Sequence, residues 1–331
     1  MRPISLASAL LVLMGACALD WDALDPRVNG GAGAGEVGGA GGDGGVPSVG
    51  GSGGSGGVGG TGGVGGAGGV GGSVPVLVDR GLLTRYYLDE ADSGRGPTEV
   101  NDAAPDPLTL SLQYGDLSVG AGGAGGAGGS GPTGPNVTWV EVDGNRGLRW
   151  SVAHGSGRAF ASVSGTKILD LDGLTEATIE CVVAFDGGDA SGTVCDRIAH
   201  VGVNDNGAFT LCSLNGERVD FRLNGMSGHA WNVGLSSLGR VVLHVVFDSA
   251  RALEEDRARL YLDGALQTPS SAAVPQAPIA LASGQYVLGN RVDDAGSMEG
   301  TIFYCAHYTV ALTPDEIANN ASVLIVDDDT P

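Results

Sequence analysis

The sequence predicts an all-β domain, a two-sheet sandwich or jelly roll, carried on a glycine-rich tether. Three observations predict it. Roughly a dozen short runs alternate apolar and polar residues or stay apolar for about four to eight positions, as strands do. Turn-forming stretches such as Asp143-Gly144-Asn145 and Asp263-Gly264 separate them. A complete helix start occurs once, at Thr313-Pro314-Asp315-Glu316, where a capping threonine precedes a proline and a glutamate.

Composition sets the limits of function. Of 331 residues 61 are glycine, and most of these stand in two blocks that have no side chains to bury. One domain of about 200 to 250 residues remains, enough for a single β core. A net charge of -21, with no cluster of Lys and Arg in the sequence, excludes a phosphate-backbone partner, so no nucleic acid is expected.

Residues 1–16, read as a signal segment, carry Arg2, an apolar run from Ile4 to Leu13 and then Met14-Gly15-Ala16, with Cys17 directly after them. The run is about ten residues, too short to span a bilayer and suited to an export signal. The last four residues resemble a bacterial lipobox, with Met14 in place of the usual leucine. That resemblance implies lipidation of Cys17, a membrane held through the anchor, and a place in the cell envelope; Ala18 favours the outer membrane. Plain secretion is the alternative. Residues 17–74 are mostly Gly with Ala, Val and Ser, and read as a flexible tether. The Gly-rich part has a reach on the order of 35 Å.

The domain is assigned to residues 75–331, with an internal Gly-rich loop at about 119–135. Gly81 to Glu90 has the aromatic and aliphatic density of a strand, and Pro107 to Leu112 alternates strictly. Val137 to Val142, Gly147 to Trp150 and Arg158 to Val163 follow as short strands. In Ala177 to Phe185 the period of two puts Ile179, Cys181, Val183 and Phe185 on one face. Arg197 to Val203, Gly207 to Ser213 and Glu217 to Leu223 read as a meander. Leu243 to Asp248 and Arg259 to Gly264 read as neighbouring antiparallel strands, and Gln285 to Arg291 and Thr301 to Val310 are the last two. A helix is expected from Pro314 to about Val323.

A family resemblance rests on these pieces in their order: Gly81 to Glu90, Gly147 to Trp150, Ala177 to Val183, His244 to Asp248, Arg259 to Gly264, Val287 to Asn290, and Gly300 to Tyr308 with Leu312-Thr313 and Glu316-Ile317. They resemble laminin G-like domains of the concanavalin A-like lectin and glucanase jelly rolls. The resemblance implies two packed curved sheets and ligand binding at the concave face or the rim loops. It makes His244 a structural strand residue. Val182 stands where the family often has tryptophan, and Phe303-Tyr304 where it has an acidic pair.

Besides Cys17 there are Cys181, Cys195, Cys212 and Cys305, an even set that in an exported domain allows three disulfide connectivities. The resemblance places the strands of Cys181 and Cys305 side by side, and Cys195 and Cys212 flank one meander, so those two pairs are expected. Buried thiols at Cys181 and Cys305 are the alternative. No motif requires a cofactor. Calcium is the one ion with ligands of the right kind: Asp186 with Asp189, Asp205 with Asn204 and Asn206, and Asp293 with Asp294. Ordinary polar turns use the same residues.

Three functions fit this reading. The first is a non-catalytic module that binds a glycan or a cell-surface protein. Trp231, beside His229 and Asn232 in what reads as a polar loop, is its candidate ligand contact, since sugars stack on aromatic faces. Trp139 and Trp150 lie in strand patterns and belong to the core. The second is a glycoside hydrolase, which needs two facing carboxylates. Glu141-Val142-Asp143 is the nearest approach, and Glu254-Glu255-Asp256 has no apolar frame. The third is a spacer in an envelope assembly.

Overall fold

The structure, a computed structural model, describes residues 76–90, 98–114, 137–151, 157–187, 194–203, 207–293 and 296–329. Cys17, the tether and the internal Gly-rich loop at about 119–135 lie outside them. In chain order the strands are β1 (Leu82–Tyr87), β2 (Glu99–Val100), β3 (Leu110–Gln113), β4 (Val137–Val142), β5 (Asn145–Trp150), β6 (Arg158–Ser162), β7 (Glu176–Phe185) and β8 (Asp196–Gly202). They continue as β9 (Phe209–Leu214), β10 (Arg218–Leu223), β11 (Met226–Asn232), β12 (Arg240–Asp248), β13 (Ala258–Leu262), β14 (Ala265–Leu266), β15 (Gln285–Leu288) and β16 (Gly300–Tyr308). Helix α1 is Pro314–Leu324.

The strands form two antiparallel sheets, a β-sandwich of the jelly-roll type. The first runs β14-β13-β12-β7-β16-β5-β4, with β1 also on β16; the second runs β11-β10-β9-β8-β15-β6-β3-β2. The stretch Leu243 to Asp248 lies centrally in the first sheet, between β7 and β13, as the sequence predicts. Asp263 and Gly264 have φ of 48° and 81°, the paired positive values of a tight hairpin turn, which glycine adopts freely and aspartate tolerates.

The main core fills the space between the sheets. Ile179, Cys181, Val183 and Phe185 of β7 face Phe209, Leu211, Phe221, Tyr286 and Leu288 of the second sheet. A second apolar layer covers the other side of the first sheet, where Ile317 and Leu324 of α1 pack with Val182, Val242, Val246, Tyr304 and Tyr308. This explains why β7 is buried along both faces and lacks the alternation of a solvated strand. Thr313 accepts from the Glu316 amide while Glu316 reaches back to the Thr313 amide, the capping box expected from the sequence.

Two disulfides join Cys181 to Cys305 and Cys195 to Cys212, the expected pairs. Cys181 and Cys305 are directly opposed in register on β7 and β16. Trp139 and Trp150 belong to the core as expected.

One local reading needs correction. The stretch around Trp231 is not a loop but strand β11, and Trp231 is fully buried in the core opposite Val219. Its strand signal is masked because small or polar residues, Gly228, His229 and Ala230, precede the tryptophan. The turn before it, Asn224-Gly225 with φ of 50° and 80°, carries the hairpin signature that locates the strand.

Candidate functional site

Each sheet has an outer face, turned away from the main core. On the first sheet that face is closed. Glu180 and His244, fully buried on β7 and β12, stand opposite each other, and His244 Nε2 lies 2.7 Å from Glu180 Oε2. Asn320 of α1 donates to the same oxygen at 2.7 Å, and the Tyr304 and Tyr308 hydroxyls each donate to Oε1 at 2.9 Å. Burial pushes the Glu180 carboxyl up, but these hydrogen bonds outweigh it and hold the group below the usual carboxylate range. Arg85 continues the network, donating to the Tyr304 hydroxyl at 3.1 Å and pairing with Asp79 at 2.8 Å. A carboxylate enclosed by four donors fastens α1 to the sheet; it has no solvent path to a substrate. A cleft of about 580 Å³, lined by Leu77, Arg85, Tyr87, Val323 and Val326 among others, lies beside this network.

The outer face of the second sheet is built differently. The register places Arg222, Thr210, His200, Val287 and Phe160 in one row across β10, β9, β8, β15 and β6. Four strand spacings make the row about 19 Å long. Their sequence neighbours Phe221, Leu211, Ala199, Leu288 and Ala159 point into the core, so the period of two sends the row outward. A second row holds Asp220, Cys212 and Arg197.

Polar chemistry dominates this face. The Arg158 guanidinium lies 4.6 Å above the half-buried Phe160 ring, a cation–π contact, and donates to Gln113 Oε1 at 2.9 and 3.1 Å and to the Val292 carbonyl. Arg218 pairs with Asp220 at 2.6 Å, and Arg291, from the turn after β15, pairs with Asp293 at 2.5 Å. His200 Nδ1 is 3.0 Å from the Thr210 hydroxyl. Burial, with Arg197, Arg291 and Arg222 nearby, pushes the imidazole down to about 3 and keeps it neutral. Its Nε2 is buried without a hydrogen-bond partner among the described residues. Gly207, at φ of 48°, lies against this pair: a Cβ there would come within 2.1 Å of Thr210 Oγ1 and 2.9 Å of His200 Cε1. The same glycine lines a cleft of about 500 Å³ with Gly202, Asn224, Met226, Leu281 and Ser283.

The residues singled out from sequence fall elsewhere. Trp231 and His229 pack together in the core with ring centroids 4.7 Å apart, and only Asn232, at the strand end, is exposed. Burial pushes His229 down to about 4. Asp186 forms an ion pair with Arg149 at 2.8 Å. Asp189, Asp205 and Asp294 lie outside the described residues, and among those described no three His, Cys, Asp or Glu side chains gather as a metal site. Glu141 is exposed at a hairpin end, 4.0 Å from Arg146, and Glu254–Asp256 form a short 3-10 turn with no buried residue.

Sequence reading missed Glu180, His200 and the arginines. Signals for them were present. Glu180 sits inside an otherwise apolar run, where a buried charge demands partners. Arg218-Val219-Asp220-Phe221-Arg222 alternates charge with core residues, which puts three charges on one face.

No family model and no curated protein matches the chain in sequence. Among solved structures it is similar to a Trypanosoma rangeli sialidase in complex with the inhibitor DANA, with a TM-score of 0.46 and 11% identity over 78% of this chain and 35% of that one. It is also similar to domain 4 of AbnA, a GH43 extracellular arabinanase from Geobacillus stearothermophilus in complex with arabinotriose (TM-score 0.43, 10% identity, 72% and 98% covered). A third likeness is to a chain of botulinum neurotoxin type C (TM-score 0.46, 10% identity, 74% and 51% covered). The present chain thus spans about a third of the sialidase and half of the neurotoxin chain. Likeness at this level carries no ligand or activity over to it.

Proposed function

We propose that the chain is a non-catalytic recognition module for glycan, tethered to the cell envelope through lipidated Cys17 and residues 17–74, with the outer face of the second sheet as its ligand surface. The observation that carries this reading is the row from Arg222 to Phe160: a half-buried guanidinium and a half-buried aromatic ring at its two ends, with Thr210, His200 and Val287 buried between them. Sugar recognition uses that combination, an apolar surface for a ring face and fixed polar groups for its hydroxyls.

Carboxylate placement favours binding over hydrolysis. Glycosidic cleavage uses two carboxyl groups about 5 to 9.5 Å apart. On the strands of this sheet the described carboxylates are Glu99 on β2, Asp196 on β8 and Asp220 on β10. Glu99 lies six strand spacings from Asp220, about 29 Å along the sheet, and Asp196 two spacings, about 10 Å, at the outer limit of such a pair; Asp220 is held by Arg218 at 2.6 Å. The two disulfides fit an oxidising compartment, and among the described residues no helix is long and apolar enough to cross a membrane.

A glycan array probed with the full chain tests the reading. Retained glycans that are lost with Arg222→Gln are expected; an array with no retained glycan would overturn it. For the anchor, Cys17→Ser is expected to move the protein from the membrane to the soluble fraction. Unchanged membrane association would contradict lipidation at that residue.

A further inference from the structure

The cleft beside α1 is open where the neighbouring Glu180 network is closed. Its apolar wall is made by Val76, Leu77, Tyr87, Val323 and Val326, and Asp79, Asp327 and Asp329 stand around it. Val76 and Val326 are 74% and 80% exposed, the two most exposed large hydrophobic side chains among the described residues, and both line this one space. A lone exposed valine needs no explanation. Two that share a concave space of about 580 Å³ give it the volume and the apolar surface of a small-ligand pocket.

Both walls are fastened, so the cleft exists before any ligand arrives. On one side the Val78 amide donates to Asn320 Oδ1 at 2.9 Å, and Asn319 Nδ2 donates to the Val76 carbonyl at 2.8 Å. On the other, Arg240 donates to the Leu324 and Ile325 carbonyls at 2.6 and 3.1 Å and pairs at 2.7 Å with the buried Asp328, which fixes the chain past α1. The charges of the lining are unequal. Its cation, Arg85, is buried and engaged with Asp79 at 2.8 Å, the Val78 carbonyl at 2.9 Å and the Tyr304 hydroxyl at 3.1 Å. Asp327 and Asp329 have no ion-pair partner among the described residues, and Asp329 Oδ1 is buried without a hydrogen-bond partner there. Burial and the charges of Asp89 and Asp327 push the Asp329 carboxyl up, with Arg146 opposing them. A cation placed between these carboxylates relieves that repulsion.

We infer that this cleft binds a small organic cation with an apolar body, an alkyl- or aralkylammonium, whose chain lies against Val76, Val323 and Val326 and whose ammonium group is held by Asp327 and Asp329. An ammonium carries three donors and no acceptor, so it satisfies carboxylate oxygens without bringing an acceptor that needs a partner. Charge selects this occupant over a neutral or anionic one. Three carboxylates against one guanidinium leave the lining negative, and the net charge of -21 adds to the attraction. The apolar walls select it over an inorganic cation, and among the described residues no three His, Cys, Asp or Glu side chains gather as a metal site. The cleft belongs to the first sheet and α1, so the inference stands apart from the glycan reading of the second sheet.

The test is calorimetric titration of the full chain with phenylbutylamine, phenylbutanol and phenylbutyrate, which share an apolar body and differ in the charge of the head group. The amine is expected to bind about tenfold or more tightly than the alcohol, and the carboxylate more weakly than the alcohol. Asp327→Asn combined with Asp329→Asn keeps the Asp327 oxygen that accepts from the Asp329 amide, so the chain end stays folded. That variant is expected to bring the amine to within about twofold of the alcohol. Val326→Ser, at an exposed position, is expected to weaken amine and alcohol alike. Glu255→Gln, in the exposed 3-10 turn, is expected to change neither, which separates the local carboxylates from net charge. Equal binding of amine and alcohol, an amine preference that survives both asparagine changes in a folded protein, or no saturable heat from the amine overturns the inference. None of these results bears on the glycan array.

Discussion

The outer faces of the two sheets carry the same residue in opposite settings. His244 on the first sheet has a carboxylate, Glu180, 2.7 Å away, and that carboxylate is further held by Asn320 of α1 and two tyrosine hydroxyls. His200 on the second sheet has arginines around it and a ring nitrogen without a described partner. The first face is covered by α1, whose Asn320 is tied to the sheet through the Glu180 carboxylate, so it holds the fold together. The second surrounds its buried histidine with arginines instead. Within one domain, the two faces differ in the charge that surrounds a buried imidazole and in whether a helix is fastened over it.

The largest difference should come from the disulfides, one associated with each sheet. The Cys181–Cys305 bond closes a sequence separation of 124 residues and the Cys195–Cys212 bond one of 17. Chain-entropy arguments give about 5 kcal/mol for the first and about 3 kcal/mol for the second. Replacing each pair by alanine and measuring urea unfolding checks the order. Loss of the second pair is also expected to weaken glycan binding, because Cys212 and Arg197 share a register position on the ligand face.

Next is Glu180→Ala, which strands buried donors from four side chains. A loss of about 3 to 5 kcal/mol is expected, with Glu180→Gln milder, and binding by the remaining folded protein should be unchanged. Weakened affinity at constant folded fraction would join the two faces that the comparison separates.

The pH dependence of stability sharpens the comparison further. His200 is pushed down to about 3 from an ordinary value near 6.5, so between those limits the unfolded chain binds the extra proton. Its contribution to stability is therefore complete above about 6.5 and is lost progressively as pH falls toward 3. The groups facing it are Arg197, Arg222 and Arg291, which deepen the shift, and Asp293, which opposes it. His229 and His307, depressed by burial to about 4 and 3, act in the same sense. A melting-temperature series is expected to show His200→Gln losing less stability than wild type between pH 6.5 and 4. An identical pH profile would contradict the assignment of His200 as a buried neutral ring.

The smallest effect belongs to the helix cap. Thr313→Ala removes one side of the capping box of α1 and should cost about 1 kcal/mol, with no change in ligand affinity.

Much of the architecture is legible in the sequence because period-two patterns and turn residues report it locally. The Thr313-Pro314-Asp315-Glu316 start gives α1, and Asp263-Gly264 gives its hairpin. The core face of β7 follows from Ile179, Cys181, Val183 and Phe185 alone. Strand β11 is hidden because Gly228 and Ala230 leave Trp231 without an alternating frame. The ligand face is less legible for a different reason. Arg222, Thr210, His200 and Phe160 are far apart in the chain, and only strand register assembles them. Glu180 was in plain view as a charge in an apolar run, but the identity of its partners depends on a helix 140 residues further on.

Hydrogen exchange with and without a glycan retained by the array tests the central claim most directly, since it maps the contact face without any substitution. Slowed exchange is expected in peptides covering Arg158–Ser162, Asp196–Gly202, Phe209–Leu214 and Arg218–Leu223, with Pro314–Leu324 unaffected. Protection confined to α1 and the first sheet would contradict the account.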